Sequence, residues 1–312
     1  MGKIEIDHTG ANAGITLSSD GTDLLLDGTA IGGGGTALEL YAENPVNPTA
    51  PVATGTNGVA IGAFSSSTGN SALALGNGTG ASYAFTLAAG YNAQASSQFG
   101  ATALTNSYAS GSYSFAAAIA NNTSSYGATG ANSVAMGSLS KAGGADSVAI
   151  GDSNLANNAS AVSIGASNTA SGSSSVVFGT SHTASGYGSA CIGGSTSTAS
   201  NTYSMTFGPY AKASVDNAFI FGSKGFFSAG SVQSGKYILY SDTTNATAEA
   251  LTTTNAAAGN ANQVILPNNS AFAFSGTIVA RQQASTGTAS AAWKVEGLIR
   301  REGSAGTTVL VN

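Results

Sequence analysis

A chain of 312 residues with 42% apolar positions can build a sizeable core, yet only 7% of its residues are charged, against roughly 25% in an ordinary globular domain. Such a surface would be hard to keep soluble in a monomer, so much of it is expected to lie against other chains or under a coat of Ser, Thr and Asn. There is no basic stripe to neutralise phosphates, no run approaching the ~18 apolar residues of a spanning helix, and no apolar signal-peptide core in MGKIEIDHTG, which argues against nucleic-acid binding, membrane insertion and standard secretion.

The chain opens acidic. Residues 1–43 carry seven acids against Lys3, and no Asp, Glu, Lys, Arg or His occurs from residue 44 to residue 140. Within residues 1–35, Lys3–Asp7 and Ile15–Leu17 alternate as half-buried strands, Ser19-Asp20-Gly21 and Asp27-Gly28 read as turns, and Leu24–Leu26 lies between them. About 30 residues cannot hold a core alone, so this N-terminal β segment is expected to fold against further chains. Gly32–Gly35 reads as a flexible joint, and Pro45, Pro48 and Pro51 make residues 36–57 an extended linker.

A period of 14 residues governs residues 58–222. The clean copies SVAMG, SVAIG, AVSIG, SVVFG, SACIG, SMTFG and AFIFG end on glycines 137, 151, 165, 179, 193, 208 and 222, 14 apart with one step of 15. GVAIG, ALALG and LAAG, ending on Gly62, Gly76 and Gly90, keep the phase upstream. Between Gly90 and Gly137 the spacing breaks: QFG at Gly100 reads as one irregular rung end, and FAAAIA at 115–120 as another with Ala in place of Gly.

Each unit has a first half in which Val148 and Ile150 point one way and Ala149 the other, a glycine suited to a left-handed turn, and a shorter second strand such as Thr169-Ala-Ser171 whose alanine fills a narrow interior. One coil cannot bury its apolar face, so stability must come from stacking coil on coil. About twelve rungs at ~4.8 Å would make a rod on the order of 55–60 Å long.

Residues 223–235 read as a connector. In 236–312, the segments Lys236–Tyr240, Gln263–Leu266, Phe272–Phe274, Thr277–Ala280, Trp293–Ile299 and Thr307–Val311 alternate as strands between polar turns, which predicts a β-sandwich-like domain. The chain stops on its last strand, as a truncated domain would.

The unit S-V-A-I-G-x-x-x-x-A-x-G-x-x resembles the head repeat of YadA-type trimeric autotransporter adhesins. The resemblance covers about half of the chain and implies an all-β fold: a left-handed parallel β-roll intertwined as a homotrimer that buries its small-residue faces. The opening KIEIDHTGANAGITLSSDGTDLLLDGTAIGGGG and the closing NQVILPNNSAFAFSGTIVARQQASTGTASAAWKVEGLIRREG resemble terminal segments of phage virion structural and tail-fibre proteins. Together these imply a fibre or spike on a phage particle, docked to other virion proteins through its acidic N-terminus, with a host surface receptor or glycan as a further partner. A bacterial trimeric adhesin head and a polysaccharide depolymerase are the alternatives.

Few residues invite chemistry, and neither catalytic residue, cofactor nor metal is expected. Asp146, Asp152 and Asp216 are the acids of the repeat region, and Asp146 and Asp152 fall at opposite turns of one strand, unsuited to paired-carboxylate glycan cleavage. Asn154, Asn168 and His182 follow successive glycines by three residues, so a roll stacks them as a ladder: facing the axis, three copies of His182 would suit an ion; facing outward, they would be hydrogen-bonded surface.

Lone His8 reads as surface, Cys191 as a buried small residue, and Gly76-x-Gly78-x-Gly80 as turn rather than phosphate loop. Tyr83, Tyr91, Tyr108, Tyr113 and Tyr126 gather where the rungs are irregular, either as sugar-stacking rings or as caps on enlarged coils.

Overall fold

Alternation of large and small residues, interrupted twice per unit by turns, closes each 14-residue stretch into one coil in the computed structural model. The structure describes residues 49–119, 125–223, 230–245, 247–283 and 287–312, together with the backbone of five strands before them, Ile4–Ile6, Ile15–Ser19, Leu24–Leu26, Thr29–Ile31 and Leu38–Leu40. The chain divides into two compact units: residues 1–213 with 219–235, and residues 214–218 with 236–312.

In the first unit the coils stack into two parallel sheets. The first strand of each unit joins a 14-stranded, long-strand sheet running from Leu38–Leu40 to Gln233–Lys236, and the shorter second strand joins a 12-stranded, short-strand sheet running from Val52–Ala53 to Lys212–Ala213. Each strand pairs with its counterpart one coil away, as Val148, Ala149 and Ile150 pair with Val162, Ser163 and Ile164. The lead turn carries the chain from the short-strand into the long-strand sheet, and the return turn carries it back.

The alternation puts the middle residue of each long strand inside. Ala60, Ala74, Ala88, Ala135 and Ala149 have no accessible surface, and Ala81, Ala95, Ala142 and Ala156 oppose them from the short-strand sheet, equally buried. Small residues therefore pack within one chain's own coil. The face left open carries the large ones, which reverses the expectation that an intersubunit contact buries the small-residue faces.

The strand-end glycines are held there twice over. Gly165 has φ +123°, and a Cβ on it would stand 1.9 Å from the carbonyl oxygen of Gly179 on the next coil.

The irregular stretch keeps the stacking and changes the loop lengths. Ala88 pairs with Ala103, Ala103 with Ala116, and Ala116 with Ala135, so these coils run 15, 13 and 19 residues. Ala118 occupies the glycine place with φ 54°, as the FAAAIA segment suggests. Gly100 is not a rung end. It lies in the lead turn with φ 55°, and Thr105 meets Gly90 in the strand-end position.

The roll also begins earlier than residue 58. Leu38–Leu40 pairs in parallel with Val59–Ile61, Val52–Ala53 pairs with Ser66–Ser67, and Pro51 is buried, so part of the expected linker at 36–57 is the first coil. Strands Ile4–Ile6 and Ile15–Ser19, which their alternation predicts, form an antiparallel sheet with Leu24–Leu26 and with Thr29–Ile31, a strand the sequence reading does not mark. His8, the Gly32–Gly35 joint and the predicted turns at 19–21 and 27–28 lie wholly or partly outside the described residues.

The second unit is one antiparallel sheet of three strands. Ser270–Arg281 and Ser290–Arg301 pair along their whole length, and Val309–Leu310 adds to the second of them. The strands expected within 272–280, 293–299 and 307–311 are present, whereas Gln263–Leu266 is not a strand and Lys236–Tyr240 holds only a strand end and a bridge; among the described residues no second layer makes a sandwich, Val279 being 72% exposed and Trp293 52%. Phe272–Phe274 and Thr277–Ala280 are one strand rather than two, and Tyr240 makes an isolated bridge to Thr252.

The width of the interior sets the first prediction. Ala149→Leu inserts three carbon atoms between two fixed sheets and should destabilise the roll by about 1–3 kcal/mol. Ala149→Ser, which copies buried Ser163 one coil on, should be tolerated; guanidinium unfolding of both variants measures the difference.

Candidate functional site

The described residues of the first unit present their side chains on two sheet faces and two turn edges of the roll. The open face of the long-strand sheet carries two side chains per coil. Val148, Val162 and Val176 form part of one column, and Met136, Ile150, Ile164, Phe178 and Ile192 part of the other. They are half-buried to exposed: Phe178 is 40% exposed, Met136 39% and Phe221 54%. Phe207 and Phe221 stack on successive coils with ring centroids 5.4 Å apart. The open face of the short-strand sheet is polar by comparison, with Lys141, Thr169, Thr183, Thr198 and Lys212 in one column.

The predicted Asn–His ladder exists and lies inside the coil. Ser140, Asn154, Asn168, His182 and Ser197 are buried at the return turn. Asn168 Nδ2 donates to the carbonyls of Ile164 (3.0 Å) and of Gly179 one coil on (2.7 Å), while its Oδ1 accepts the His182 backbone N–H at 3.0 Å. Asn154 repeats the pattern with Ile150, Gly165 and the Asn168 N–H.

His182 continues the ladder with a ring. Its Nδ1 accepts the Ser197 N–H at 2.9 Å, which fixes the proton on Nε2, where it is donated to the Gly193 carbonyl. Both ring nitrogens are thus engaged within one chain, and neither an axial ion nor an outward-facing ladder survives. The side chains instead satisfy strand-end carbonyls that the left-handed glycines turn inward. Spacing in the sequence reveals the ladder, but not which side of the coil it takes.

Other candidate residues separate. Asp146 and Asp152 stand on the lead and return turns at opposite ends of Val148–Asp152, on the order of 15–20 Å of strand apart; Asp146 accepts from Asn132 Nδ2 at 2.9 Å. Asp216 falls in the second unit, where its N–H donates to Ala261. Cys191 is fully buried in the interior column between Val177 and Thr206, and burial pushes its thiol pKa up. Gly76 and Gly78 take positive φ in a return turn. Among the described residues no cluster of His, Cys, Asp and Glu could hold a metal.

The five tyrosines do not form one group. Tyr91 lies on the return-turn edge, Tyr108 is half-buried on the short-strand sheet, and Tyr126 packs against the core. Tyr83 and Tyr113 share the lead-turn edge, which Phe85 and Phe99 complete. Those two phenylalanines are readable only by phase, counting back from each coil's glycine.

Phe85 and Tyr113 hold the left-handed position of their lead turns, with φ 60° and 57°, where Asn57, Ser71, Asn132 and Asp146 stand on other coils. A side chain there costs roughly 1–2 kcal/mol, least for Asn and Asp. A second aromatic pair, Tyr187 and Tyr203, sits on the same edge further along, 5.4 Å apart and edge-to-face.

With this geometry in place, two stretches of the chain, residues 53–79 and 128–154, match the YadA head domain repeat. Over these two stretches the coils of the β-solenoid are similar to YadA head repeats. No curated protein matches the chain. The YadA-type match at 53–79 begins in the coil of Val52–Ala53, in agreement with the early start of the roll, and that at 128–154 spans the lead turn, long strand and return turn described above.

Removing one link of the ladder tests its role. Asn168→Ala leaves the Gly179 and Ile164 carbonyls and the His182 N–H without their partner, and should destabilise the roll by roughly 1–3 kcal/mol. Chemical unfolding of Asn168→Ala beside Ser185→Ala, a change at an exposed position, checks it; the control should move by less than about 0.5 kcal/mol.

Proposed function

We propose that the chain is a trimeric, adhesin-like head: a non-catalytic rod that holds a contact surface away from its carrier. The observation that carries this reading is the open face of the long-strand sheet. Two columns, mostly of Val, Ile, Leu, Met and Phe with Ala89, Thr102, Ala117 and Ala190 among them, run along the roll and are left largely uncovered by the described residues of a single chain. Contiguous apolar surface on this scale marks an interface. Three copies turning this face to a common axis would cover it, and the match to YadA head repeats, which typically occur in trimers, supports that arrangement.

The rod can take its place on two carriers. The repeats favour the head of a bacterial trimeric surface adhesin. The opening and closing segments, by their resemblance to virion and tail-fibre termini, favour a phage fibre attached through residues 1–35, whose five acids against one lysine suit a basic docking partner. Depolymerase activity finds little support, since glycan cleavage uses carboxylates roughly 5–9.5 Å apart and Asp146 and Asp152 lie on opposite edges of the coil.

Peptide mass spectrometry of fractionated material separates the carriers. A fibre places peptides of this chain in density-purified phage particles in constant ratio to capsid protein. An adhesin head places them in the bacterial outer-membrane fraction, released by surface proteolysis. Recovery only from the soluble cytoplasmic fraction would contradict both.

A further inference from the structure

The aromatic stretch of the lead-turn edge is arranged against its own conformational interest. Phe85 and Tyr113 occupy left-handed backbone positions that Asn, Ser, Asp or Gly fill on most other coils, and a bulky side chain is the least suited to that conformation. Neither ring is repaid by burial, being 65% and 66% exposed, and Tyr83 and Phe99 beside them are 45% and 48% exposed. Strain of this kind, kept where burial does not offset it, points to a contact with something else.

The rings also present a surface of definite shape. Tyr83 and Phe85 lie on one coil, Phe99 on the next and Tyr113 on the one after, so they rise in steps of ~4.8 Å along the rod axis. Phe99 and Tyr113 are stacked, with centroids 6.2 Å apart and planes 14° from parallel. The Tyr113 backbone N–H is tied to the Phe99 carbonyl at 2.8 Å, and the Phe85 N–H to that of Asn70 at 3.0 Å, so the backbone fixes the row. Asn70, Ser82 and Gln98, all exposed, flank it with amide and hydroxyl groups.

The chemistry of the neighbourhood selects the partner. No charged side chain occurs between residues 44 and 140, so an anionic ligand or a charged peptide would leave its charges without partners. A row of exposed aromatic rings bordered by neutral hydrogen-bonding groups fits the C–H faces and hydroxyls of pyranose rings. We infer that the lead-turn edge formed by Tyr83, Phe85, Phe99 and Tyr113 is a binding site for a neutral glycan chain lying along the rod. This names a ligand class for the adhesin-like head and rests on that reading.

The test uses the full chain, fluorescently labelled, on an array of neutral glycans that includes cello-, chito-, laminari- and manno-oligosaccharides, beside the double variant Phe85→Asn, Tyr113→Asn. Asn suits the left-handed conformation, so the variant should fold with an equal or higher melting temperature. Glycan retention should fall roughly tenfold or more, as expected when two stacked rings are lost.

Three results would overturn the site: no neutral glycan retained by the unsubstituted chain, equal retention by the double variant, or an altered oligomeric mass in the variant, which would make these rings a contact between copies. Glycan retention by a chain that does not self-associate would instead contradict the trimeric head and leave the site standing.

Discussion

The narrow space between the two sheets of each coil is the constraint on which the rest depends. With so few side chains of each strand facing inward, the interior admits a methyl group, a hydroxyl or a thiol, with occasional larger exceptions at Val177 and Ile220. A coil filled by alanine gains little from burial, since stabilisation follows the apolar area removed from water. The larger apolar side chains are thereby forced onto the outer face, where one chain leaves them partly in water. The core and the open apolar face are two consequences of one alternation.

The same narrowness explains the polar ladder. Turning a chain back within a few residues favours left-handed glycines such as Gly165 and Gly179, whose carbonyls accept from the ladder's side chains. Asn154, Asn168 and His182 bond each coil to the next. They look like a site because they are polar, periodic and aligned, yet their polar atoms are occupied by backbone. The lead-turn edge shows the opposite case, in which Phe85 and Tyr113 serve neither backbone nor core.

Periodicity makes the fold legible where repeat length is constant, because alternation at 14-residue spacing admits few arrangements. It fails where length changes. Leu38–Leu40 sits 21 residues before its partner Val59–Ile61, so no period reveals it. Gly100 attracts notice as a glycine, although its phase puts it in the lead turn. Alternation in 270–301 marks strands but does not say whether a second layer covers them. Grouping the tyrosines by nearness in sequence misleads, because nearness on the rod follows phase, which admits Phe85 and Phe99 and separates Tyr91, Tyr108 and Tyr126. Inside and outside are equivalent in a period, so the ladder's burial needs coordinates.

Whether copies of the same chain cover the aliphatic face of the long-strand sheet decides between a trimeric head and a self-sufficient roll. Light scattering of the purified full chain at low micromolar concentration, without denaturant, measures this directly. A mass of three chains of 30.2 kDa each, stable on dilution, is the predicted result. A stable single-chain mass would mean that the face stays in water and that the roll is sufficient alone, which contradicts the account.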